Sequence, residues 1–332
     1  MPKTQSAYRQ YHSTETVVTK VYNDMLMAAD SGQVSALCLL DLSAAFDTVD
    51  HNLLMRRLER QYGLRSVVLQ WFSSYLSGRT FEVVYGGSTS STVYIPCSVP
   101  QGSVLGPCLF ILYTADLEDN VTEHGVSFHA FADDTQLLST VVTTKRCLPS
   151  YNSRTASRKL ASSDCMSANR LKLNADKTEL LWAGSRHGLA MLGSAGPSLW
   201  LRIETIVASD QVCVLGITMT SDLSLDKHVA NVCATCFYWL RQLRRVRRSL
   251  DAESAATLVH AFVTSRVDYC NAIHAGATKS TTDKLQRVMN AAARIISDTQ
   301  KYDRGLTNLL HDELHWLDVP ERVQYKLCAT VH

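Results

Sequence analysis

The chain has 332 residues and a formal charge of only +2, with 46% hydrophobic and 19% charged side chains. That is the composition of a soluble globular protein long enough to bury a substantial core in two or three lobes, and it argues against a disordered chain. No apolar run reaches the roughly 18 residues needed to cross a bilayer, and the opening MPKTQSAYRQ has no signal-peptide core, so neither a membrane span nor a secretory leader is expected.

Residues 13–31 open on Ser, Thr and Glu15, then place Val17, Val18, Val21, Met25 and Leu26 at helical spacing, which predicts a capped helix. Residues 34–40 form a short continuous apolar run, the pattern of a buried strand. The strand ends on an acid, Asp41, with Phe46 five residues further on. Asp50 to Arg60 and Val67 to Leu76 predict helices, broken at Gly63 and ended near Gly78. The stretch 81–95 alternates like a hairpin with Gly86-Gly87 as its turn. CSVPQGSVLGPCLFILYTADL (97–117) reads as a loop with Gly and Pro feeding a long apolar helix. The run SFHAFADDTQLLST (127–140) then predicts a hairpin with Asp133 and Asp134 at its turn.

Between Thr140 and Cys165 the periodicity fails, leaving Ser, Thr and basic residues without a face. A flexible, irregular surface loop is the ordinary reading. The sharper one is a shifted reading frame, since codons can be chosen for this stretch that read, one frame over, as an amphipathic segment. Residues 169–183 predict a short element, a turn carrying Lys177 and a strand; 211–218 (QVCVLGIT) predict another strand. From 226 onward nearly everything is helical by pattern, so a mixed α/β lobe is followed by a helical one. Within 227–248 stand Lys227, Arg241, Arg244, Arg245, Arg247 and Arg248, and no acid. Arg241, Arg244, Arg245 and Arg248 fall at i, i+3, i+4 and i+7, one helix face suited to a polyanion, with a merely solvated face as the alternative.

The ten cysteines have no framework spacing, as expected of a reducing compartment. Cys233-x-x-Cys236, with Cys270 and His274 as further ligands, offers zinc chemistry. Both cysteines also lie on the apolar side of a helical pattern with Val229, Val232, Phe237 and Leu240, which makes core packing the stronger reading.

Two adjacent carboxylates repel, so a chain that holds them at a tight turn needs a cation for them. With Asp41 ending a separate strand, Asp41, Asp133 and Asp134 form the acid set of a phosphoryl-transferring enzyme that uses divalent metal. The carbonyl of Leu42 would add an oxygen ligand, and the ring of Phe46 would face a nucleotide sugar and exclude a 2′-hydroxyl. Gln101 and Gly102 in VPQGSVLGP allow close backbone approach to a base pair, because glycine has no side chain to obstruct it. Lys177 in LNADKTE is placed to protonate or neutralise pyrophosphate. Taken singly, each has a bland reading: a strand-ending acid, a core phenylalanine, turn residues, a surface lysine. Their company is what gives them weight.

The series QSAYRQYHSTET, LLDLSAAFDTVDH, SVPQGSVLGPCLF, FADDTQL, NRLKLNADKTE and VLGITMTSDLSLDKH occurs in this order. Over nearly its whole length the chain thereby resembles the reverse transcriptases of non-long-terminal-repeat retrotransposons, the jockey and chicken-repeat groups above all. The resemblance implies an α/β (α+β) right-hand polymerase fold: residual fingers over 1–33, a palm with the primer grip over 34–225, and a helical thumb over 226–332. It implies catalytic and metal-binding roles for Asp41, Asp133 and Asp134, with Lys177 as general acid. Leu42, Phe46, Gln101, Gly102 and Arg9 would contact nucleotide or template, Leu215 and Gly216 would belong to the primer grip, and Arg241, Arg244, Arg245 and Arg248 would track a nucleic-acid backbone. Two Mg²⁺ ions, or Mn²⁺, are the implied cofactors. An RNA template, a DNA primer and deoxynucleoside triphosphates are the implied partners, with no membrane and no indication of oligomeric state. The implied location is intracellular, the nucleus for target-site copying. Against the family pattern the chain starts inside what would be the fingers, so the upstream strands that grip the triphosphate are not expected. Arg9 would be a remnant of that region that cannot replace them, and neither an endonuclease nor a zinc knuckle is expected. A catalytically inactive nucleic-acid-binding remnant is therefore the alternative.

Overall fold

A computed structural model of the chain describes residues 3–122, 125–142, 170–171, 173–193, 196–201, 204–300 and 302–331. The chain forms two compact units. One contains Met1–Ser13 and Ala28–Ser209; the other contains Thr14–Met27 and Asp210–His332.

The first unit is built on a four-stranded antiparallel sheet. The apolar run 34–40 becomes β1 (Gln33–Leu40), and it is buried on both faces, which is why it reads as continuous rather than alternating. After it come α2 (His51–Arg60) and α3 (Ser66–Leu76), numbered from the helix α1 (Thr14–Asp30) that precedes the strand. Asp50 starts α2 by accepting from the Leu53 amide at 2.7 Å. The exposed arm that follows has two short pairs, β2 (Thr80–Phe81) with β5 (Val93–Tyr94) and β3 (Val84–Tyr85) with β4 (Ser88–Thr89), turning at Gly86-Gly87 as the sequence predicts.

The apolar helix α4 (Leu105–Thr114) buries Leu109, Phe110, Ile111 and Tyr113, and a separate α5 (Asp116–Thr122) succeeds it. The single long helix expected from 97–117 is thus split. The break coincides with Asp116, whose Oδ2 accepts from Arg57 at 2.6 Å while Arg57 also donates to the Tyr113 carbonyl. A buried arginine of α2 thereby ties down the end of α4.

The acidic hairpin is β6 (Ser127–Phe131) and β7 (Asp134–Val142). β7 pairs with β1, and β8 (Glu179–Gly184) covers the other edge of β1, giving the order β6-β7-β1-β8. Leu37 stands opposite Leu138 on one side and Leu181 on the other. The irregular segment expected from 140 to 165 is regular strand through Val142; the remainder, 143–165, lies outside the described residues. The unit closes with α6 (Arg186–Leu192) and the small pair β9 (Leu199–Leu201) and β10 (Glu204–Ile206).

In the second unit, the stretch 211–218 is not one strand but the start of a hairpin, β11 (Gln211–Val214) with β12 (Ile217–Thr220). Leu215 and Gly216 form its turn, both with positive φ, 46° and 87°. A two-residue turn of this hand matches the twist of antiparallel strands. The helices are α7 (Asp226–Val246), α8 (Ala252–Val259), α9 (Ser265–Asp268), α10 (Lys279–Ile296), α11 (Leu306–Asn308) and α12 (Val319–Val331). Their shared core includes Val229, Cys236, Leu240, Val263, Leu285, Val288 and Met289. Cys236 is fully buried there, 3.8 Å from the Val263 carbonyl, and Cys233 packs at the same core's edge. Both cysteines are packing residues, as their helical face suggests.

The N-terminal part of α1 belongs to this unit. Glu15 accepts from the Ala272 amide at 3.3 Å and pairs with Lys326 at 3.0 Å.

Candidate active site

The acids gather at one end of the four-stranded sheet. Leu40 pairs with Thr135 in the last register position of β1 and β7, so Asp41 follows directly on one strand while Asp134 precedes directly on the other. Phe131 pairs with Asp134, leaving Ala132 and Asp133 as the two turn residues. Ala132 holds φ of 58°, a left-handed conformation that costs a non-glycine residue about 1 kcal/mol.

Electrostatics ties the three acids together. Asp134 is open to solvent by area, yet desolvation by its surroundings raises its carboxyl pKa, and the charges of Asp133 and then Asp41 raise it further. A cation would relieve that repulsion. The donors are all carboxylate oxygens, hard ligands that suit Mg²⁺ or Mn²⁺ rather than zinc, so the residues present fit a divalent ion of that kind. Among the described residues, no three His, Cys, Asp or Glu side chains already converge on one point.

Three segments wall this end of the sheet. In the first, Asp41 to Val49, the Asp41 carbonyl accepts from the Asn174 amide at 2.9 Å and Leu42 forms a bridge with Leu173. Phe46 stacks on Phe110 of α4, ring centroids 4.8 Å apart and planes 22° apart. The ring position of Phe46 is therefore set by core packing beneath it.

The second segment is the loop before α4. Ser98 donates its amide to the Val49 carbonyl at 2.9 Å, and Val99 to that of Phe46 at 3.0 Å. Gln101 donates from Nε2 to Asp47 Oδ1 at 2.9 Å, so its side-chain amide is engaged with the first segment. Gly102 has φ of 75° and open space where a side chain would stand. Gly106 is the tighter position: a Cβ there would lie 2.8 Å from the Pro100 carbonyl oxygen and 3.0 Å from Ser103 Oγ. Just ahead of the helix, Ser103 Oγ accepts from the Gly106 amide at 3.0 Å while donating to Pro100 O at 2.6 Å. Asp47 and Gly106 both escape sequence reasoning, although each lies within a quoted motif.

The third segment is the turn after Leu173. It brings Lys177 Nζ to 3.9 Å from Asp41 Oδ2, an open ion pair with the lysine largely in solvent. Such a pair contributes little stability, so the lysine is free to exchange partners. Arg9, also in this unit, stands exposed and donates to the Lys3 carbonyl at 2.9 Å.

The remaining sequence-predicted residues belong to the second unit. Tyr269 donates its hydroxyl to the Leu215 carbonyl at 2.7 Å, and its ring lies under Gly216, where an added Cβ would touch it at 3.4 Å. Arg241, Arg244 and Arg245 are exposed along α7. Arg248 is exposed as well but lies past the end of α7, in the turn Arg247–Ser249, so the four do not share one continuous helix. Arg247 has another task. It donates to the carbonyls of Ile295 at 2.6 Å, Ile296 at 2.8 Å and Leu250 at 2.7 Å, closing the C-terminus of α10.

Residues 1–219 match the family model described as "Reverse transcriptase (RNA-dependent DNA polymerase)". Among curated proteins, the chain is 28% identical to the "Probable RNA-directed DNA polymerase from transposon BS" of Drosophila melanogaster, over 97% of this chain and 35% of that protein. It is 34% identical to the "RNA-directed DNA polymerase from mobile element jockey" of Drosophila funebris, over 42% of this chain and 16% of that protein. The chain thus spans about a third or less of the length of these relatives. Among solved structures, apo telomerase from Candida tropicalis aligns over 99% of this chain and 52% of its own, with 12% identity and a TM-score of 0.45.

Proposed function

The chain belongs to the reverse transcriptase family, and from that premise we propose that it is the RNA-directed DNA polymerase core of a non-long-terminal-repeat retrotransposon, extending a DNA primer on an RNA template. One observation carries this reading: Asp41, Asp133 and Asp134 stand at the same end of one sheet, near enough for two of them to raise the carboxyl pKa of the third. In this reading the sheet-bearing part, 34–225, is the palm, 1–33 the rest of the fingers, and 226–332 the thumb.

Asp41, Asp133 and Asp134 would hold divalent metal, Mg²⁺ with two ions bound, and the Leu42 carbonyl would add an oxygen. The metal supplies charge stabilisation for the attacking 3′-oxygen and the departing pyrophosphate when bound. Lys177, close to Asp41 and largely exposed, delivers a proton or a positive charge to the pyrophosphate. Phe46, backed by Phe110, stands against the sugar and turns away a 2′-hydroxyl. Gly102 lets the backbone approach the base pair, Gln101 exchanging Asp47 for template as nucleic acid enters. Arg9 meets the triphosphate. Leu215 and Gly216 bear on the primer, and the arginines of α7 with Arg248 on phosphates of the duplex.

A primer-extension assay with an RNA template, deoxynucleotides and Mg²⁺ tests the proposal. Extension by the chain is expected, with Asp133→Ala lowering the rate by about a thousandfold or more. No incorporation by the unaltered chain would overturn it. Salt-sensitive RNA binding without incorporation would favour the nucleic-acid-binding remnant instead, a reading supported by the exposed Arg241, Arg244 and Arg245, which need no acids to act.

A further inference from the structure

The acidic turn is gripped from the side by a residue that sequence reasoning passes over. Residues 4–6 lie along the free edge of β6: the Ala130 amide donates to Thr4 O at 3.1 Å, the Ser6 amide donates to Ala130 O at 3.0 Å, and Gln5 bridges Ala130 in parallel. Where β6 runs out, the side chain of Gln5 continues the ladder in place of a backbone. Its Oε1 accepts from the Ala132 amide at 3.0 Å and its Nε2 donates to the Ala132 carbonyl at 3.1 Å. The same Oε1 also accepts from the Ala7 amide at 2.9 Å, and the residue is only 4% exposed.

A primary amide sets its donor NH₂ and its acceptor oxygen side by side at the spacing of a peptide group, so it can satisfy both the amide and the carbonyl of one residue. Here that residue is Ala132, held in the left-handed region immediately before Asp133. Left alone, an alanine there would relax toward negative φ, turning the peptide that carries Asp133. We infer that Gln5 is a positioning residue of the catalytic turn: its amide clamps Ala132 and so fixes the direction in which Asp133 presents its carboxylate. This rests on the reading of Asp133 as a metal-binding acid, because a clamp on the turn matters to chemistry only if the acid does.

Two variants and two readouts test it. Gln5→Ala removes both bonds; Gln5→Glu keeps the shape but loses the Nε2 donor and sets a carboxylate against the Ala132 carbonyl. The first readout is hydrogen exchange of the Ala132 amide by NMR, at a temperature where melting curves show each variant folded. Exchange is expected to quicken by about tenfold or more in Gln5→Ala. The second is primer extension resolved into kcat and KM. Both variants are expected to lose about tenfold or more in kcat with the KM for primer-template within about twofold, since a displaced acid impairs the chemical step and not binding. A clamp that served only stability would lower the melting temperature and leave kcat unchanged in the folded variants.

Unchanged exchange overturns the inference whatever the activity, and quickened exchange with unchanged kcat overturns it too. If the unaltered chain does not polymerise, the proposed function fails separately. The clamp is then judged by exchange together with Mn²⁺ titration, followed through broadening of the Asp133 and Asp134 amide signals. Weaker broadening in Gln5→Ala supports it and equal broadening refutes it. If Gln5→Ala does not fold, Gln5→Met, of similar length but lacking both bonds to Ala132, carries the same comparisons.

Discussion

Acidification should weaken the helical unit through one buried histidine. His274 is 5% exposed, its Nδ1 has no hydrogen-bond partner among the described residues, and its ring stacks on that of His228 with centroids 6.1 Å apart. Burial, and then the nearby charge of His228, lower its pKa to about 4 from the ordinary 6.5. The folded state therefore holds His274 neutral, whereas the unfolded chain takes up a proton once the pH falls below 6.5. Unfolding is favoured progressively as pH drops from 6.5 toward 4, and the stability lost is regained as pH rises through that window. With 1.36 kcal/mol per pKa unit, the full shift is worth about 3 kcal/mol, of which about 2 kcal/mol is lost by pH 5. Urea unfolding from pH 7.5 to 4.5, followed by the fluorescence of Trp239 and Trp316 in this unit, measures it. In His274→Leu the titrating ring is gone, and its stability should fall with pH by about 2 kcal/mol less than the wild type's between pH 7 and pH 5. His228, also depressed by burial, remains in both proteins and leaves a shallower slope in the variant. Parallel curves for the two proteins would refute the reasoning.

Divalent metal should stabilise the sheet-bearing unit through its acids. Mg²⁺ at about ten times its Kd would add about 1.4 kcal/mol and raise the melting temperature of that unit by about 3 °C, with no rise in Asp133→Ala. The arginines should separate into two kinds. Replacing Arg241, Arg244 and Arg245 by Gln should leave stability nearly unchanged and flatten the dependence of RNA binding on salt by about 0.7 per lost phosphate contact, whereas Arg247→Ala should cost about 2–4 kcal/mol in a urea melt and leave that slope alone. Gly106→Ala forces a Cβ against Pro100 O and should destabilise by about 1–3 kcal/mol in a thermal melt.

What the sequence made legible was local. β1 reads correctly because both of its faces are covered and seven apolar-leaning residues run together. The helix after Asp50 reads correctly because its cap and its first turn are adjacent in sequence. The placement of Asp41 just past a strand and of Asp133 in a turn is readable too, because strand ends and turns mark themselves. Failures arise where a residue's partner is distant. Arg247 looks like one more member of a basic stripe, since the carbonyls it closes belong to Ile295 and Ile296. Gln5 looks like an ordinary polar residue because Ala132 is far along the chain. At 211–218 the difficulty is different: Leu215 adopts a positive φ that its own chemistry disfavours, so an apolar run conceals a turn that only Gly216 hints at.

The threading of α1 has a consequence for how the protein is made. Residues 14–27 are built into a unit whose other part begins about 180 residues later, at Asp210. Val17, Val18, Val21 and Met25 are fully or almost fully buried in the finished fold, yet they leave the ribosome long before the helices that accompany them. Closing a loop of that length costs about 5 kcal/mol of chain entropy, recovered only when the second unit condenses around the early helix. The helical unit is thus a late event in synthesis, during which an apolar helix face waits uncovered. Growth temperature and chaperone supply should therefore govern the yield of folded chain more strongly than its final stability would suggest.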